Sequence, residues 1–268
     1  MNLIPYGKHT ISEKDKKFVL KSLGDDLITS GNYVKSFESK LSKFLKVNYA
    51  LSCSSGTSAI HLALLSLNVK KGDSIIILSI NFIAAYNMSR LLGAKVYLAD
   101  VDPILGQMTP RNLLNCIKLN KIKNLKVVFT MYLGGYPKNI IEFYNIKKKY
   151  KFYIIEDACH ALGAKYLDNQ KKWTHVGSCQ HSDICVFSLH PLKTITSGEG
   201  GILTTNNKNI YTKPDGTDYT KINASLFIVP HAVIHQWESY LQNDTSLRYL
   251  ILKKDRKSTR PNSSHITI

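Results

Sequence analysis

Apolar and polar residues follow two different periods along the first 205 residues of the chain. Apolar residues at three- and four-residue spacing predict helices over residues 13–23, 34–44, 57–67, 84–92, 109–119 and 140–150. Short apolar runs bounded by turn residues predict strands over residues 49–52, 74–78, 95–98, 126–129, 152–155, 183–189 and 201–204. Strands that alternate with helices in this way are typical of an open α/β sheet.

The regular pattern fades after about residue 209. We predict one domain over residues 1–210 and leave the structure of residues 211–254 open, because their pattern suggests a frame shift near residue 211. Residues 255–268 closely resemble the conceptual translation of a sequencing adapter, and we exclude them from the fold prediction.

The composition is that of an ordinary globular protein, with 44% apolar and 21% charged residues among 268. The net charge of +17 raises the alternative of a nucleic-acid-binding protein. The excess is almost all lysine, scattered along predicted helices, and no basic patch with interleaved aromatic residues is present. We therefore favour a solvated lysine surface and predict no nucleic-acid partner, although positive charge would also suit a substrate that carries a diphosphate.

The apolar runs are of strand length, far below the roughly 20 residues of a membrane span, so no membrane partner is predicted. The polar N-terminus and five cysteines without close pairing favour a reducing, cytoplasmic location. A structural zinc site is an alternative use of a short segment that contains His175, Cys179, His181, Cys185 and His190. Cys185 lies in an alternating strand pattern and no Cys-x-x-Cys pair is present, so we predict no metal.

Three segments follow predicted strands, where open α/β sheets bind their ligands. The first, residues 52–59, has the sequence SCSSGTSA and leads into a helix predicted to start at Thr57. Free N–H groups and the helix dipole at such a start can hold a phosphate without a lysine. The alternative is a Ser/Thr cap that serves only the helix.

The second segment is a strand that ends in the carboxylates of Glu156 and Asp157, with His160 three residues beyond Asp157. A carboxylate in this position can keep the ring nitrogen of pyridoxal phosphate (PLP) protonated. His160 is suited to contact the ring oxygen of the same cofactor or a supporting water. The alternative is a helix-capping aspartate beside a histidine with a structural partner.

The third segment places Lys193 just after a predicted strand, between a proline turn and a glycine-rich loop. Partial burial and nearby positive charges lower the pKa of an amine, which favours Schiff-base formation. The alternative is a solvated lysine like most others in this chain.

Together these segments resemble the DegT/DnrJ/EryC1/StrS sugar aminotransferases, a family of fold-type-I PLP enzymes. The resemblance runs from about residue 4 to residue 206. It rests on PYG at residues 5–7, ITSG at 28–31, NFIAA at 81–85, EDACHALGA at 156–164, HPLK at 190–193 and GEGG at 198–201. The resemblance implies a three-layer α/β/α large domain with a mainly parallel central sheet, and the family's C-terminal small domain is expected to be missing.

The resemblance also implies roles for individual residues. Lys193 matches the Schiff-base lysine and Asp157 matches the partner of the pyridine nitrogen. Phe82 matches the aromatic residue that stacks on the cofactor ring, and His160 matches a residue near the ring oxygen. The family's phosphate-binding positions match Gly56, Thr57, Ser58 and Ser188.

The implied activity is transfer of an amino group from glutamate to a keto sugar nucleotide. The segment around Lys193 resembles the branch that aminates C4 of a UDP-linked 4-keto-6-deoxy amino sugar on the way to pseudaminic acid. Another keto sugar nucleotide, 3-keto or TDP-linked, and a non-catalytic regulatory protein remain alternatives. The family implies a homodimer, and without the small domain we expect this polypeptide to be poorly stable or inactive, because apolar surface would be exposed.

Overall fold

The computed structural model describes residues 7, 9–26 and 31–211 of the chain. The interpretations of residues 212–268 lie outside the described residues, as do Pro5, Tyr6 and residues 28–30 of the quoted motifs.

The helices agree closely with the sequence prediction. They are α1 (Glu13–Leu23), α2 (Asn32–Leu45), α3 (Gly56–Ser66), α4 (Ala84–Leu91), α5 (Pro110–Leu119), α6 (Ile140–Tyr150) and a short α7 (Lys208–Tyr211). Several ends follow from local chemistry. Ser12 caps α1 through a capping box with Asp15, and Thr109 caps α5, which has Pro110 in its first turn.

Nine strands form two sheets in the described part of the chain. They are β1 (Tyr49–Cys53), β2 (Ser74–Leu78), β3 (Lys95–Ala99), β4 (Leu125–Met131), β5 (Tyr153–Asp157), β6 (Lys165–Leu167), β7 (Trp173–His175), β8 (Ile184–Ser188) and β9 (Gly201–Thr205). The main sheet has the order β1-β9-β8-β5-β4-β2-β3.

The direction of the strands confirms a mainly parallel sheet with helices around it. Strands β8, β5, β4, β2 and β3 are all parallel to their neighbours in that order, whereas β9 is antiparallel to both β1 and β8. Because β9 is reversed relative to both, β1 points the same way as β8. The C-terminal ends of β1, β8, β5, β4 and β2 therefore meet at one edge of the sheet.

The small hairpin of β6 and β7 was not predicted. Tyr166 and Thr174 face each other across it and are buried. Asp168 closes its turn by accepting hydrogen bonds from the N–H groups of Gln170 and Lys172, both at 2.9 Å. Strands of three residues are too short for a periodic pattern to reveal them.

Two clusters of buried apolar side chains pack against the main sheet. The larger includes the fully buried β2 and side chains of α3, α4, α5 and α6. The second joins α2 and β8 to the hairpin and contains Tyr132, Ala158 and Phe187. None of the described helices is long and apolar enough to cross a membrane.

Part of the apolar surface is not covered by described residues. Helix α1 has no buried residue, and Phe18, Val19 and Leu20 are each more than half exposed. Phe82 and Ile83, on the loop after β2, are 67% and 56% exposed.

Candidate active site

The register of the main sheet brings three strand ends together. Cys53, the last residue of β1, pairs with Gly201, and Gly201 pairs on its other side with Ser188, the last residue of β8. Asp157, the last residue of β5, pairs with Val186 of β8. The three segments that the sequence singled out therefore lie side by side at one edge.

The residues predicted to bind a phosphate lie at the start of α3, and the expected first residue of that helix was wrong by one position. Helix α3 begins at Gly56, not Thr57, and its N-cap is Ser55. The N–H of Ser58 is not free, because it donates to Ser55 Oγ at 3.1 Å. The N–H groups of Gly56 and Thr57 come too early in the helix to have an intrahelical acceptor. They remain available to an anion, whereas the Ser58 hydroxyl already shares hydrogen bonds with Ser54 Oγ at 2.8 Å and Ser55 Oγ at 3.0 Å.

Glycine is required where this loop meets the neighbouring strands. A Cβ on Gly56 would lie 3.1 Å from Ser188 Cβ and 3.2 Å from Cys159 Sγ. A Cβ on Gly201 would overlap the carbonyl group of Ser55 and lie 2.8 Å from Gly56 N. The helix start is thus set against β8, β9 and the loop after β5 by close backbone packing.

Asp157 is a buried carboxylate at the centre of this edge. Asp157 is only 3% exposed, and its Oδ1 accepts a hydrogen bond from the N–H of Cys159 at 3.2 Å. Among the described residues no lysine or arginine forms an ion pair with it. A buried carboxylate is stable only when hydrogen bonds or a cationic partner compensate for its lost hydration.

Lys193 lies on the same edge, half-buried in the loop between β8 and β9. Its N–H donates to the carbonyl of His190 at 2.9 Å, which closes a turn. Burial lowers the pKa of His160, the Lys193 charge lowers it further, and the Asp157 charge raises it. Burial and Asp157 raise the pKa of Cys159, whereas Lys193 lowers it. The amine and the carboxylate are therefore both near enough to act on His160 and Cys159.

Ser188 and Phe82 occupy different parts of the edge. Ser188 Oγ accepts the N–H of His190 at 3.3 Å, so its own hydroxyl proton is available for donation. Phe82 lies between β2 and α4, and β4 separates β2 from β5. The structure brings Gly56, Ser188, Asp157 and Lys193 close together, with the exposed Phe82 ring farther along the same edge.

The residues considered for zinc have other surroundings. Cys185 is buried in β8, and Cys179 Sγ donates to Thr204 O at 3.3 Å. His181 Nδ1 shares a 2.7 Å hydrogen bond with Tyr166 OH, and the His175 ring contacts Phe44. The described residues contain no group of three or more metal-ligating side chains.

Sequence reasoning quoted three residues of this region within motifs but gave none of them an individual role. Ser55 is the N-cap of α3, and Cys159 lies between the start of α3 and Asp157. The backbone of Ser55 and Gly56 packs directly against Gly201. Only Ser55 carried a local signal, as a serine before the first helical residue. The other two act through contacts between distant parts of the sequence.

Comparison with known families agrees with this arrangement. Residues 9–216 match the DegT/DnrJ/EryC1/StrS aminotransferase family. The chain belongs to this family.

Two relatives illustrate the range of the family. The GDP-perosamine synthase of Escherichia coli O157:H7 is 35% identical over 213 residues, which is 79% of this chain and 55% of the relative. A UDP-4-amino-4,6-dideoxy-N-acetyl-beta-L-altrosamine transaminase of Campylobacter jejuni is 33% identical over 79% of this chain and 54% of the relative. The chain thus spans about half the length of these relatives.

Solved structures show the same fold. Helicobacter pylori PseC, an aminotransferase involved in pseudaminic acid biosynthesis, has 28% identity and a TM-score of 0.68 over 77% of this chain and 53% of its own. Spr1654 of Streptococcus pneumoniae in its PLP form has 25% identity and a TM-score of 0.69 over 77% and 54%. NtdA of Bacillus subtilis, with bound PMP, has 26% identity and a TM-score of 0.64 over 75% and 44%.

Proposed function

We propose that this chain binds PLP at the edge formed by β1, β8 and β5, and that the protein transfers an amino group from glutamate to a keto sugar nucleotide. The observation that carries the proposal is the meeting of three features at one sheet edge: a helix start whose first two N–H groups have no acceptor within the helix, a buried aspartate and a half-buried lysine. Family membership and solved relatives in PLP and PMP forms support the same cofactor.

The start of α3 fits the cofactor's phosphate. The N–H groups of Gly56 and Thr57 have no acceptor within the helix, and the helix dipole favours an anion there. The Ser188 hydroxyl is suited to donate to the same group, because its oxygen already accepts the N–H of His190. The small size of Gly56 allows the helix start to pack closely against Ser188 and Cys159.

Asp157 fits the ring nitrogen. Asp157 is 3% exposed, accepts one backbone N–H and forms no ion pair with another described residue. A protonated ring nitrogen would compensate the negative charge of this buried carboxylate. The charges of Asp157 and Lys193 shift the pKa of His160 in opposite directions, so both residues lie near His160. We assign Asp157 to the nitrogen and Lys193 to the carbonyl end.

Each residue then has a defined task. When bound, PLP supplies a carbonyl that exchanges amines and a ring that withdraws electrons from the reacting carbon. Asp157 holds the proton on the ring nitrogen, and the helix start fixes the phosphate. Lys193 Nζ removes a proton from the carbon that carries the departing amine and returns one to the acceptor carbon. Phe82 covers one face of the ring and excludes water.

For the acceptor we propose the C4 keto group of a UDP-linked 4-keto-6-deoxy amino sugar. The Campylobacter jejuni relative and PseC support this choice, while the GDP-perosamine synthase supports a GDP-linked acceptor as the second candidate. These three proteins share between 28% and 35% identity with the chain, so identity alone does not discriminate between the two nucleotides.

The test is amino transfer by a longer protein that carries residues 1–206 unchanged, because the chain spans about half of its relatives. The protein receives PLP, ¹⁵N-glutamate and a UDP-, GDP- or TDP-linked keto sugar, and mass spectrometry follows the label. We expect ¹⁵N in the UDP-linked product, none with Lys193→Ala, and a retained signal with Lys126→Ala, which removes another half-buried lysine. Label only in another nucleotide sugar would correct the substrate, and label in no sugar would refute the function.

A further inference from the structure

Tyr132 holds the end of β5 through two separate contacts. Its hydroxyl donates to Glu156 Oε1 at 2.6 Å, and its backbone N–H donates to the carbonyl of Asp157 at 3.4 Å. Tyr132 is 2% exposed, and both acidic residues are 3% exposed. One buried tyrosine therefore contacts the last two residues of the strand that carries Asp157.

These contacts lie where the sheet ends. Met131 and Asp157 form the last pair of the β4–β5 ladder, and Tyr132 is the next residue after β4. Beyond this point the two chains separate into different loops. On the other side of β5, the N–H of Ala158 donates to the carbonyl of Val186 in β8 at 2.9 Å. The backbone at Asp157 is thus held from both neighbouring strands.

Glu156 and Asp157 are adjacent in a strand, so their side chains point to opposite faces of the sheet. Glu156 points into the cluster that also contains Cys185, Cys179 and Tyr166, away from Lys193. The thiol of Cys185 and the N–H of Gly177 also direct donors at its carboxyl group. Glu156 is therefore no ligand of the proposed cofactor, although it neighbours the residue assigned to the ring nitrogen.

Burial of the polar Tyr132–Glu156 pair has a desolvation penalty, so its packing alone does not explain why the pair is there. Burial raises the pKa of Glu156, and burial together with the nearby carboxylate raises the pKa of Tyr132. Apolar side chains of similar volume would fill the same space without this desolvation penalty. A short directional hydrogen bond, in contrast, fixes the separation and angle of the groups that it joins.

We propose that the Tyr132–Glu156 pair positions Asp157 against the ring nitrogen of the cofactor. The inference rests on the proposed function. The described hydrogen-bond partners of the Asp157 side chain are the N–H and the thiol of Cys159. Both belong to the loop that follows β5, so the orientation of Asp157 depends on the backbone at this strand end. Tyr132 and Glu156 are positioning residues, which act through Asp157 and touch neither cofactor nor substrate.

The test reads the ring nitrogen directly. The chain is loaded with PLP that carries ¹⁵N in its ring, and the ¹⁵N chemical shift is followed with pH to give the midpoint of nitrogen protonation. Asp157→Asn removes the charge, and we expect it to lower the midpoint by about 1–3 pH units. Tyr132→Phe should lower it by about one unit, because a displaced carboxylate retains part of its effect. Glu156→Gln keeps the acceptor oxygen for Tyr132 but replaces the other oxygen, and should act in the same direction.

Tyr166→Phe is the matched control. It also removes one buried hydroxyl from the same cluster, where Tyr166 OH bonds His181 Nδ1 at 2.7 Å. We expect Tyr166→Phe and Tyr132→Phe to lower the unfolding temperature to a similar degree, whereas only Tyr132→Phe moves the nitrogen midpoint. Equal midpoints of ring-nitrogen protonation in Tyr132→Phe and Tyr166→Phe would overturn the proposal. The Tyr132–Glu156 hydrogen bond would then serve only the stability of the fold.

The outcomes separate the inference from the function beneath it. If the unaltered chain binds no PLP, the proposed function fails for this chain and the inference fails with it. If PLP binds and Asp157→Asn lowers the midpoint while Tyr132→Phe and Glu156→Gln do not, the function stands and the positioning role is refuted. If all three variants lower it and Tyr166→Phe does not, the positioning role is established.

Discussion

Replacement of Gly201 by alanine tests the contact between β9 and the start of α3. The new Cβ would overlap the carbonyl of Ser55 and lie 2.8 Å from Gly56 N, well inside the 3.4 Å at which ordinary contacts begin. Neither neighbour is the flexible end of a side chain. Gly201 is also paired with Cys53 and Ser188, so β9 cannot shift without disturbing both ladders.

The magnitude follows from this geometry. Overpacking of a well-packed site costs about 1–3 kcal/mol, and a clash with backbone belongs at the upper end of that range. The movement displaces the Gly56 N–H from the phosphate position. Because a hydrogen bond to a charged group contributes about 1.5–3 kcal/mol, PLP affinity should fall about 10- to 100-fold.

Two assays on the 268-residue chain check the prediction: urea unfolding for stability and spectroscopic PLP titration for affinity. Gly24→Ala is the control, since its Cβ would meet only Lys21 O at an ordinary 3.5 Å. The reasoning is refuted if Gly201→Ala matches Gly24→Ala in both stability and affinity.

Two further predictions concern stability. Asp183→Ala removes acceptors from Lys147 Nζ and the N–H of Ile154, both at 2.8 Å, and should cost about 1–3 kcal/mol in urea unfolding. Glu13→Ala breaks only an exposed pair and should cost less than about 1 kcal/mol; equal losses would contradict the argument. Burial lowers the pKa of His181 in the folded chain. The unfolded chain therefore binds a proton on His181 at a higher pH than the folded chain does. Protonation of the unfolded chain then reduces the free energy of unfolding as the pH falls below about 6.5. His181→Gln should therefore flatten the decline of unfolding temperature between pH 7 and 5, and an unchanged slope would contradict this.

The sequence predicted the elements of the main sheet because their periods are local. Six helices and seven strands were found within two residues of the expected ends. The reversed direction of β9 was not visible in its sequence, because a buried strand has the same apolar composition in either direction. The β6–β7 hairpin escaped because each of its strands has only three residues.

For the candidate site, strand ends were informative and long-range contacts were not. Asp157 and Lys193 were singled out because each stands at the end of an apolar strand at the ligand-binding edge, and the family resemblance supplied the roles predicted for them. The fit of Gly201 against Ser55, by contrast, joins residues far apart in the chain. The sequence analysis assigned no role to Tyr132, because its hydrogen bond to Glu156 depends on the pairing of β4 with β5.

The central claim is that one amine, Lys193, faces the carbonyl of bound PLP. The chain is incubated with PLP, reduced with borohydride and digested, and mass spectrometry locates the lysine that carries the cofactor. The account predicts near-complete modification of Lys193, with Lys126 and the remaining lysines at background and no major site in Lys193→Ala. Modification spread evenly over surface lysines, or concentrated on a lysine away from the β5–β8 edge, would contradict it.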